Sequence, residues 1–430
     1  MIRHAGPCAI AVALLSLSVG ACSKKSSEDK DKAENKTKTA KPEKQPDKVL
    51  AQPRWYLMKA TMPSKEIDDA VPFYVQVPAQ GSQDPVRVRS GDADVLGQPT
   101  WNGSELTVEF APMKASFKLS IMGGGKNIMG TWVSTSQAWG KAKLKLRGTA
   151  VDKPEPAKLF DLPGDQDDSI LGTWRMSDGD AEVKLVIERA PDGGVFASYA
   201  TALGNTTRMG GVATATELRL ASFDATLGVI LEGELDGEEL VATRLAVRHL
   251  VITEQLAGKR ESDFELATSA RVVEGETQLV IPNVDMAKFK GKPLIVELAA
   301  SWCANCRYAV PFMKKMHETY KAQGLQITTL LYEFTEDAAY NKSQEAAYKK
   351  QYQVPWDVTA IGGTFEKAGE VMPQTVEGLD LSGLPVAIFV KPDGSIHDIH
   401  SGFPAETLST YKQATENYEN AIKAIVGAAQ

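Results

Sequence analysis

Between Leu294 and Gly324 the hydrophobic pattern changes its period, and two cysteines stand at the change. Leu294-Ile295-Val296 opens an apolar run of strand length. From Cys306 onward Val310, Met313, Met316 and Tyr320 recur at three and four, the spacing of one helix face, and Gly324 closes the run. Cys303-Ala304-Asn305-Cys306 therefore lies where a strand feeds a helix. There the first sulfur meets unpaired N–H groups and the positive end of the helix dipole, so its pKa falls and a thiolate becomes available near neutral pH. The second sulfur, one turn in and more buried, can attack only after the first has joined a substrate. That division of labour is thiol–disulfide exchange.

Other uses of the pair fit less well. A zinc site needs four ligands; the remaining candidates are His317, His397 and His400, and the last two point to opposite faces of a strand. A c-type haem needs histidine directly after the second cysteine, where Arg307 stands. A purely structural disulfide closing so small a loop would stabilise little.

Trp302-Cys303-Ala304-Asn305-Cys306 resembles the WCxxC of the thioredoxin superfamily, specifically the membrane-tethered TlpA and ResA-like thiol–disulfide oxidoreductases. Pro311 falls where that family has a helix-kinking proline. Leu384-Pro385 matches its cis-proline turn, ahead of the apolar strand Val386 to Val390 and the Asp393-Gly394 hairpin. The closing helix shows one face through Leu408, Tyr411, Thr415, Tyr418, Ile422 and Ile425. The resemblance covers 264–430. It implies Cys303 as the attacking sulfur, Cys306 as the resolving one, and Trp302, Leu384 and Pro385 as the surface that meets a substrate strand. It also implies a redox-active Cys303–Cys306 disulfide in place of any cofactor.

Many such relatives carry a glutamate three residues past the second cysteine, and here that position is Ala309. Glu297 instead stands six residues before Cys303 in the apolar strand, where thioredoxin has an aspartate. A carboxyl between Val296 and Leu298 should have its pKa raised by desolvation and could exchange a proton with Cys306 near neutral pH. The alternative is a strand-end carboxylate neutralised by a lysine or reaching solvent. Extra sequence, a helix over 337–352 and a turn and helix over 360–372, resembles the family's central insertion. Trp356 and Phe403 are candidates for lining a cleft there, with plain packing the more common role of such aromatics.

Upstream, Phe73, Val75 and Val77, then Leu106, Val108 and Phe110, then Phe117, Leu119 and Ile121 alternate with polar residues, the period of half-buried strands. Asn102-Gly103, Asp192-Gly193 and Asp236-Gly237 are hairpin signals. The pattern predicts two all-β modules, sandwich or barrel-like, over 50–151 and 169–252. Linkers at 152–168 and 253–263 separate them from each other and from the α/β thioredoxin-like domain at 264–430. Met129-Gly130-Thr131-Trp132 and Leu171-Gly172-Thr173-Trp174 form a weak internal echo. The modules are expected to hold or space the redox domain, with substrate recruitment as the sharper reading.

Arg3 followed by the apolar run Ala9 to Val19 and then Val19-Gly20-Ala21-Cys22 is signal-peptide grammar, and the run is too short to span a bilayer, which takes about 20 apolar residues. Its last four residues resemble the lipobox of bacterial lipoproteins, which implies a signal peptide over 1–21, acylation of Cys22 and a lipid anchor. Residues 22–49 hold nine lysines against six acids and almost no apolar side chain, the composition of a disordered tether. A chain of 430 residues with net charge −7 supplies no basic footprint for nucleic acid.

The combined expectation is a lipid-anchored protein of the bacterial envelope, facing the periplasm, with the outer membrane favoured by Ser23. It would exchange thiols and disulfides on protein substrates, fed by an upstream membrane electron donor such as a DsbD or CcdA-like protein. Two alternatives stand beside it: a lipid-anchored binding or scaffold protein whose β modules carry the function, and a net disulfide oxidase.

Overall fold

Period-two alternation gives most of the first eight strands one oily face, and the chain buries those faces by rolling the sheet onto itself. The computed structural model describes residues 50–61, 70–111, 113–135, 141–179, 181–201, 206–247, 251–264, 270–303, 305–364, 367–379, 384–404, 406 and 411–428. The expected signal peptide at 1–21, the tether at 22–49 with Cys22, and Ala304 and Leu408 lie outside them.

Strands β1 (Arg54–Thr61), β2 (Ala70–Val77), β3 (Val86–Ser90), β4 (Ala93–Asn102), β5 (Glu105–Phe110), β6 (Ala115–Met122), β7 (Asn127–Ser134) and β8 (Ala142–Val151) form an antiparallel meander. The last strand returns to the first, with Trp55 opposite Val151 and Ala60 opposite Leu146, so the sheet is a closed barrel without free edges. An eight-stranded barrel is just wide enough to be filled by side chains. Phe73, Val75, Val77, Leu106, Val108, Phe110, Phe117, Leu119 and Ile121 are all buried in its core.

A second barrel follows: β9 (Gly172–Asp178), β10 (Ala181–Arg189), β11 (Val195–Thr201), β12 (Thr206–Ala213), β13 (Glu217–Phe223), β14 (Gly228–Asp236), β15 (Glu239–Val247) and β16 (Val251–Arg260). It closes by pairing β16 with β9, from Ala257 opposite Ser177 to Arg260 opposite Trp174. Of the sequence-based options, barrel is therefore the right one for both modules, and the second runs past residue 252 into the stretch expected to be a linker. The reason is visible in β16. Leu256 is its one buried apolar residue and Ile252 is 54% exposed, so the strand has no alternation to read; hydrogen bonds to β15 and β9 hold it. The echo is not a structural repeat either. A Cβ on Gly130 would overlap the Lys118 carbonyl of the adjacent strand, whereas one on Gly172 would meet only the Arg260 side chain at ordinary contact distance, and that position is glycine because its φ is +121°.

The barrels are not separated modules. Residues 48–430 form one compact unit, and the end of β13 with the turn after it packs into the core of the first barrel. Phe223 stacks on Phe73 with ring centroids 4.4 Å apart, and Trp132 Nε1 donates to the Ala225 carbonyl at 2.8 Å. The segment 152–168, expected to be a linker, packs too: the Ala157 amide donates to Asp192 Oδ2 at 2.9 Å.

Past the short ribbon of β17 (Arg271–Val272) and β21 (Val376–Glu377), a five-stranded sheet carries the strands β20 (Asp357–Ile361), β19 (Gln326–Tyr332), β18 (Leu294–Ala299), β22 (Val386–Val390) and β23 (Ile396–Ser401) in that spatial order. β18, β19 and β20 run parallel; β22 and β23 are antiparallel to their neighbours. Helices α1 (Cys306–Tyr320), α2 (Ala338–Tyr352), α3 (Ala368–Val371) and α4 (Tyr411–Gly427) accompany the sheet. β18 is buried along its whole length, as expected of a central strand covered on both faces. The expected turn and helix at 360–372 differs in detail. Ala360 and Ile361 end the edge strand β20, and the helix is the single turn of α3. No helix among the described residues is long and apolar enough to cross a membrane.

Candidate active site

The end of β18 delivers Ala300, Ser301 and Trp302 to the N-terminus of α1, whose first residue is Cys306. Cys303 and Cys306 are joined as a disulfide. The Cys306 amide, one of the orphan donors at the helix start, points at Cys303 Sγ from 3.1 Å. No side chain caps this helix, since Asn305 makes no capping bond. The donors are thus left for the sulfur. Cys303 is 8% exposed and Cys306 1%, so the first sulfur is the accessible one. Pro311 lies inside α1.

Opposite the disulfide the Leu384–Pro385 peptide is cis, and the Leu384 carbonyl lies 3.5 Å from Cys303 Sγ. The Leu384 side chain is buried, so its backbone is the part turned toward the sulfur. Trp302 is buried as well: its Nε1 donates to the Tyr332 carbonyl at 2.9 Å and its ring stacks on Phe334. The Trp302 side chain thus supports the loop, while the Leu384 backbone is what faces the sulfur.

Glu297 is 1% exposed in the middle of β18. Burial pushes its carboxyl up to about 7, with the hydrogen bond from Thr329 pulling the other way. Thr329 Oγ1 donates to Glu297 Oε2 at 2.6 Å and itself accepts from Trp356 Nε1 at 2.9 Å. Glu297 Oε1 has no hydrogen-bond partner among the described residues. The strand-end carboxylate reaching lysine or solvent is therefore ruled out. Trp356 serves this chain of bonds, and Phe403 packs against Phe312 and Tyr418.

A second buried acid, Glu333, follows β19. It accepts from the Ser301 amide at 2.8 Å and from Ser301 Oγ at 2.7 Å, two residues before Cys303.

No protein-family model matches the chain. Among curated proteins it is similar to the thiol-disulfide oxidoreductase ResA of Oceanobacillus iheyensis, 26% identical over 145 residues, which is 34% of this chain and 65% of that relative, just under two thirds of its length. ResA of Bacillus subtilis is 22% identical over 141 residues, covering 33% of this chain and 67% of the relative. Among solved structures, a thiol:disulfide interchange protein of the thioredoxin family from Chlorobium tepidum aligns at 17% identity and a TM-score of 0.25, covering 36% of this chain and 98% of its own. Over about a third of its length this chain is thus similar to thiol-disulfide oxidoreductases named ResA.

Within the C-terminal α/β domain, sequence reasoning missed Glu333, Thr329 and the role of Trp356. Glu333 could have been found by the signal that marked Glu297, an acid on an apolar run, here Leu330-Leu331-Tyr332-Glu333. Ala309, where many relatives carry the acid, is buried in α1. The domain also does not stand alone. A cavity of about 680 Å³ opens between α1 and the first barrel, lined by Arg307, Tyr308 and Pro311 on one side and Leu96, Phe110 and Met113 on the other.

Proposed function

We propose that this chain is a thiol–disulfide oxidoreductase of the bacterial envelope that reduces disulfides in protein substrates. One observation carries the reading: the Cys306 amide aimed at Cys303 Sγ from the uncapped start of α1. In the reduced protein that donor and the helix dipole would hold Cys303 as a thiolate. The Cys303 thiolate attacks one sulfur of a substrate disulfide, forming a mixed disulfide and releasing the other substrate sulfur as a thiolate. Cys306 then loses its proton and attacks Cys303 Sγ. The mixed disulfide breaks, its substrate sulfur leaves as a second thiolate, the Cys303–Cys306 disulfide returns, and two electrons have passed to the substrate. Glu297, with a carboxyl near 7 and an unbonded Oε1, is suited to take the Cys306 proton and return it. The names of the curated relatives support this chemistry.

The anchoring belongs to the same reading. Acylation of Cys22 would tether the protein to the membrane, with the outer membrane favoured, and a membrane dithiol donor of the DsbD or CcdA kind would re-reduce the site. No cofactor beyond the dithiol is invoked.

Trapping tests the reading. Cys306→Ser, expressed in the full chain and exposed to oxidised envelope proteins, should accumulate mixed disulfides through Cys303. The same preparation of Cys303→Ser should not. A clean non-reducing gel from Cys306→Ser would overturn the activity and favour a scaffold role for the barrels. Direction is tested separately by the dithiol potential: a value close to that of a strong oxidase would overturn the reductase assignment.

A further inference from the structure

The residue after the dithiol carries a positive charge that forms no ion pair among the described residues. Arg307 Nη2 donates to the Tyr308 hydroxyl at 2.8 Å, while Nε and Nη1 are shielded from solvent and have no hydrogen-bond partner among the described residues. Asp224 of the second barrel lends a negative charge from beyond ion-pair distance, and its Oδ1 accepts from Thr226 and Leu227 of its own turn. The Tyr308 hydroxyl accepts the Arg307 bond and keeps its own proton to donate. A guanidinium joined to a phenol O–H suits a carboxylate, because each bond to that acceptor would be charge-assisted.

Arg307, Tyr308 and Pro311 stand on one wall of the 680 Å³ cavity between α1 and the first barrel, a volume that suits a small ligand or a few side chains. The wall begins one residue past Cys306 and reaches Lys314, about 10 Å along the helix at 1.5 Å per residue. The barrel supplies the facing wall. There the outward side of β4 is polar at Asp94 and Gln98 but apolar at Leu96, which is 38% exposed. Pro311 is exposed on the helix side. Of the two acids that line the cavity, Asp94 is held by Arg89 at 2.8 Å and Arg87 at 3.3 Å, and Glu406 is exposed. The site thus joins an apolar cleft to a cation with no partner acid.

We propose that this cavity receives an acidic side chain of the protein substrate with its apolar neighbours, Arg307 and Tyr308 meeting the carboxylate and Leu96 and Pro311 the apolar groups. The inference rests on the dithiol reading above; it names the class of substrate favoured and makes the first barrel a recruiting surface. An extended chain covers about 3.3–3.6 Å per residue, so an acid about three or four places from the cysteine bonded to Cys303 can lie in the cavity. Charged groups along the walls, Lys314 and Asp94 among them, suit a peptide whose backbone stays solvated better than they suit a free amphipathic acid.

Binding tests this apart from turnover. The probe is a labelled peptide with a glutamate between two leucines, about four residues from a serine that replaces the cysteine; its twin carries glutamine for the glutamate. Fluorescence anisotropy with the full chain should give about tenfold tighter binding of the acidic peptide. Arg307→Gln should bring that ratio close to one, and Tyr308→Phe should lower it. Leu96→Ala should weaken both peptides about fivefold and keep the ratio. Equal binding of the two peptides by the wild type, a ratio that survives in Arg307→Gln, or affinities unmoved by Leu96→Ala would overturn the assignment. Decanoate that displaces the acidic peptide at a tenth of its concentration would overturn the peptide as occupant. Cystine-bearing versions of the peptides separate the two readings: selective binding without any reduction would overturn the dithiol reading while upholding the cavity as an acidic-peptide site.

Discussion

Arg208 of the second barrel forks onto Asp92 of the first, Nε to Oδ1 at 2.7 Å and Nη2 to Oδ2 at 2.9 Å, with the guanidinium almost wholly buried. A bidentate pair of this kind fixes an angle as well as a distance, so it sets how the two barrels face each other. Gly91 leaves the room: a Cβ there would come within 2.8 Å of Arg208 Cγ, and its φ of +60° suits glycine.

Breaking that pair from one side strands a buried charge. Arg208→Ala should therefore cost about 3–5 kcal/mol of stability, read as a lower denaturant midpoint of the full chain. Asp92→Leu with Arg208→Met should recover most of the loss, because an apolar pair leaves no charge in the fork and Glu188, which also pairs with Arg208 at 3.6 Å, is 35% exposed and reaches solvent. A double variant as unstable as Arg208→Ala would show that the geometry of the fork, not charge burial, is what matters.

Phe223 packs into the core of the first barrel, stacked on Phe73 and set edge-on to Trp132 at 5.7 Å. Phe223→Ala should leave a void in that core, destabilise the chain by about 3–5 kcal/mol and admit water to Trp132. The check is a combined unfolding and fluorescence measurement. Trp132→Phe in the same background identifies which tryptophan reports the red shift. An unshifted emission would mean that another side chain refills the space.

That packing also marks where sequence reading stops. Phe117, Leu119 and Ile121 were legible as a strand because one face of a barrel wall is always inside. The closure of β8 on β1 was not, since it depends on a ladder between segments far apart in the chain with no local pattern of its own. Phe223 and Ala225 belong to the second module in sequence yet join the core of the first, and alternation carries no signal for whose interior a residue fills. At the site, Cys303, Cys306, Pro311 and Pro385 were legible from spacing and resemblance. The roles of Thr329 and Trp356 were not: a threonine in a strand and a tryptophan before one carry no signal until the chain brings them together at a carboxyl.

Glu297 gives the domain a pH dependence whose sign follows from its burial. Below the ordinary carboxylate value of 4.5 the group is neutral in folded and unfolded chains alike. Between 4.5 and about 7 the folded protein keeps a proton that the unfolded chain has lost, so the free energy of unfolding falls as pH rises. Above about 7 both states are charged and the slope ends. The loss amounts to about 3 kcal/mol across that window, and Glu297→Gln should flatten it in denaturant titrations taken from pH 4 to 8. Thr329→Val should act the other way: removing the bond to Oε2 takes away the interaction that lowers the carboxyl, so its titration should move above 7 and carry the slope with it. If Glu297 also relays the Cys306 proton, the pH profile of disulfide reduction should follow the same displacement in Thr329→Val and lose that limb in Glu297→Gln. A stability slope that moves while the rate profile stays fixed would leave Glu297 a buried acid with no part in proton transfer.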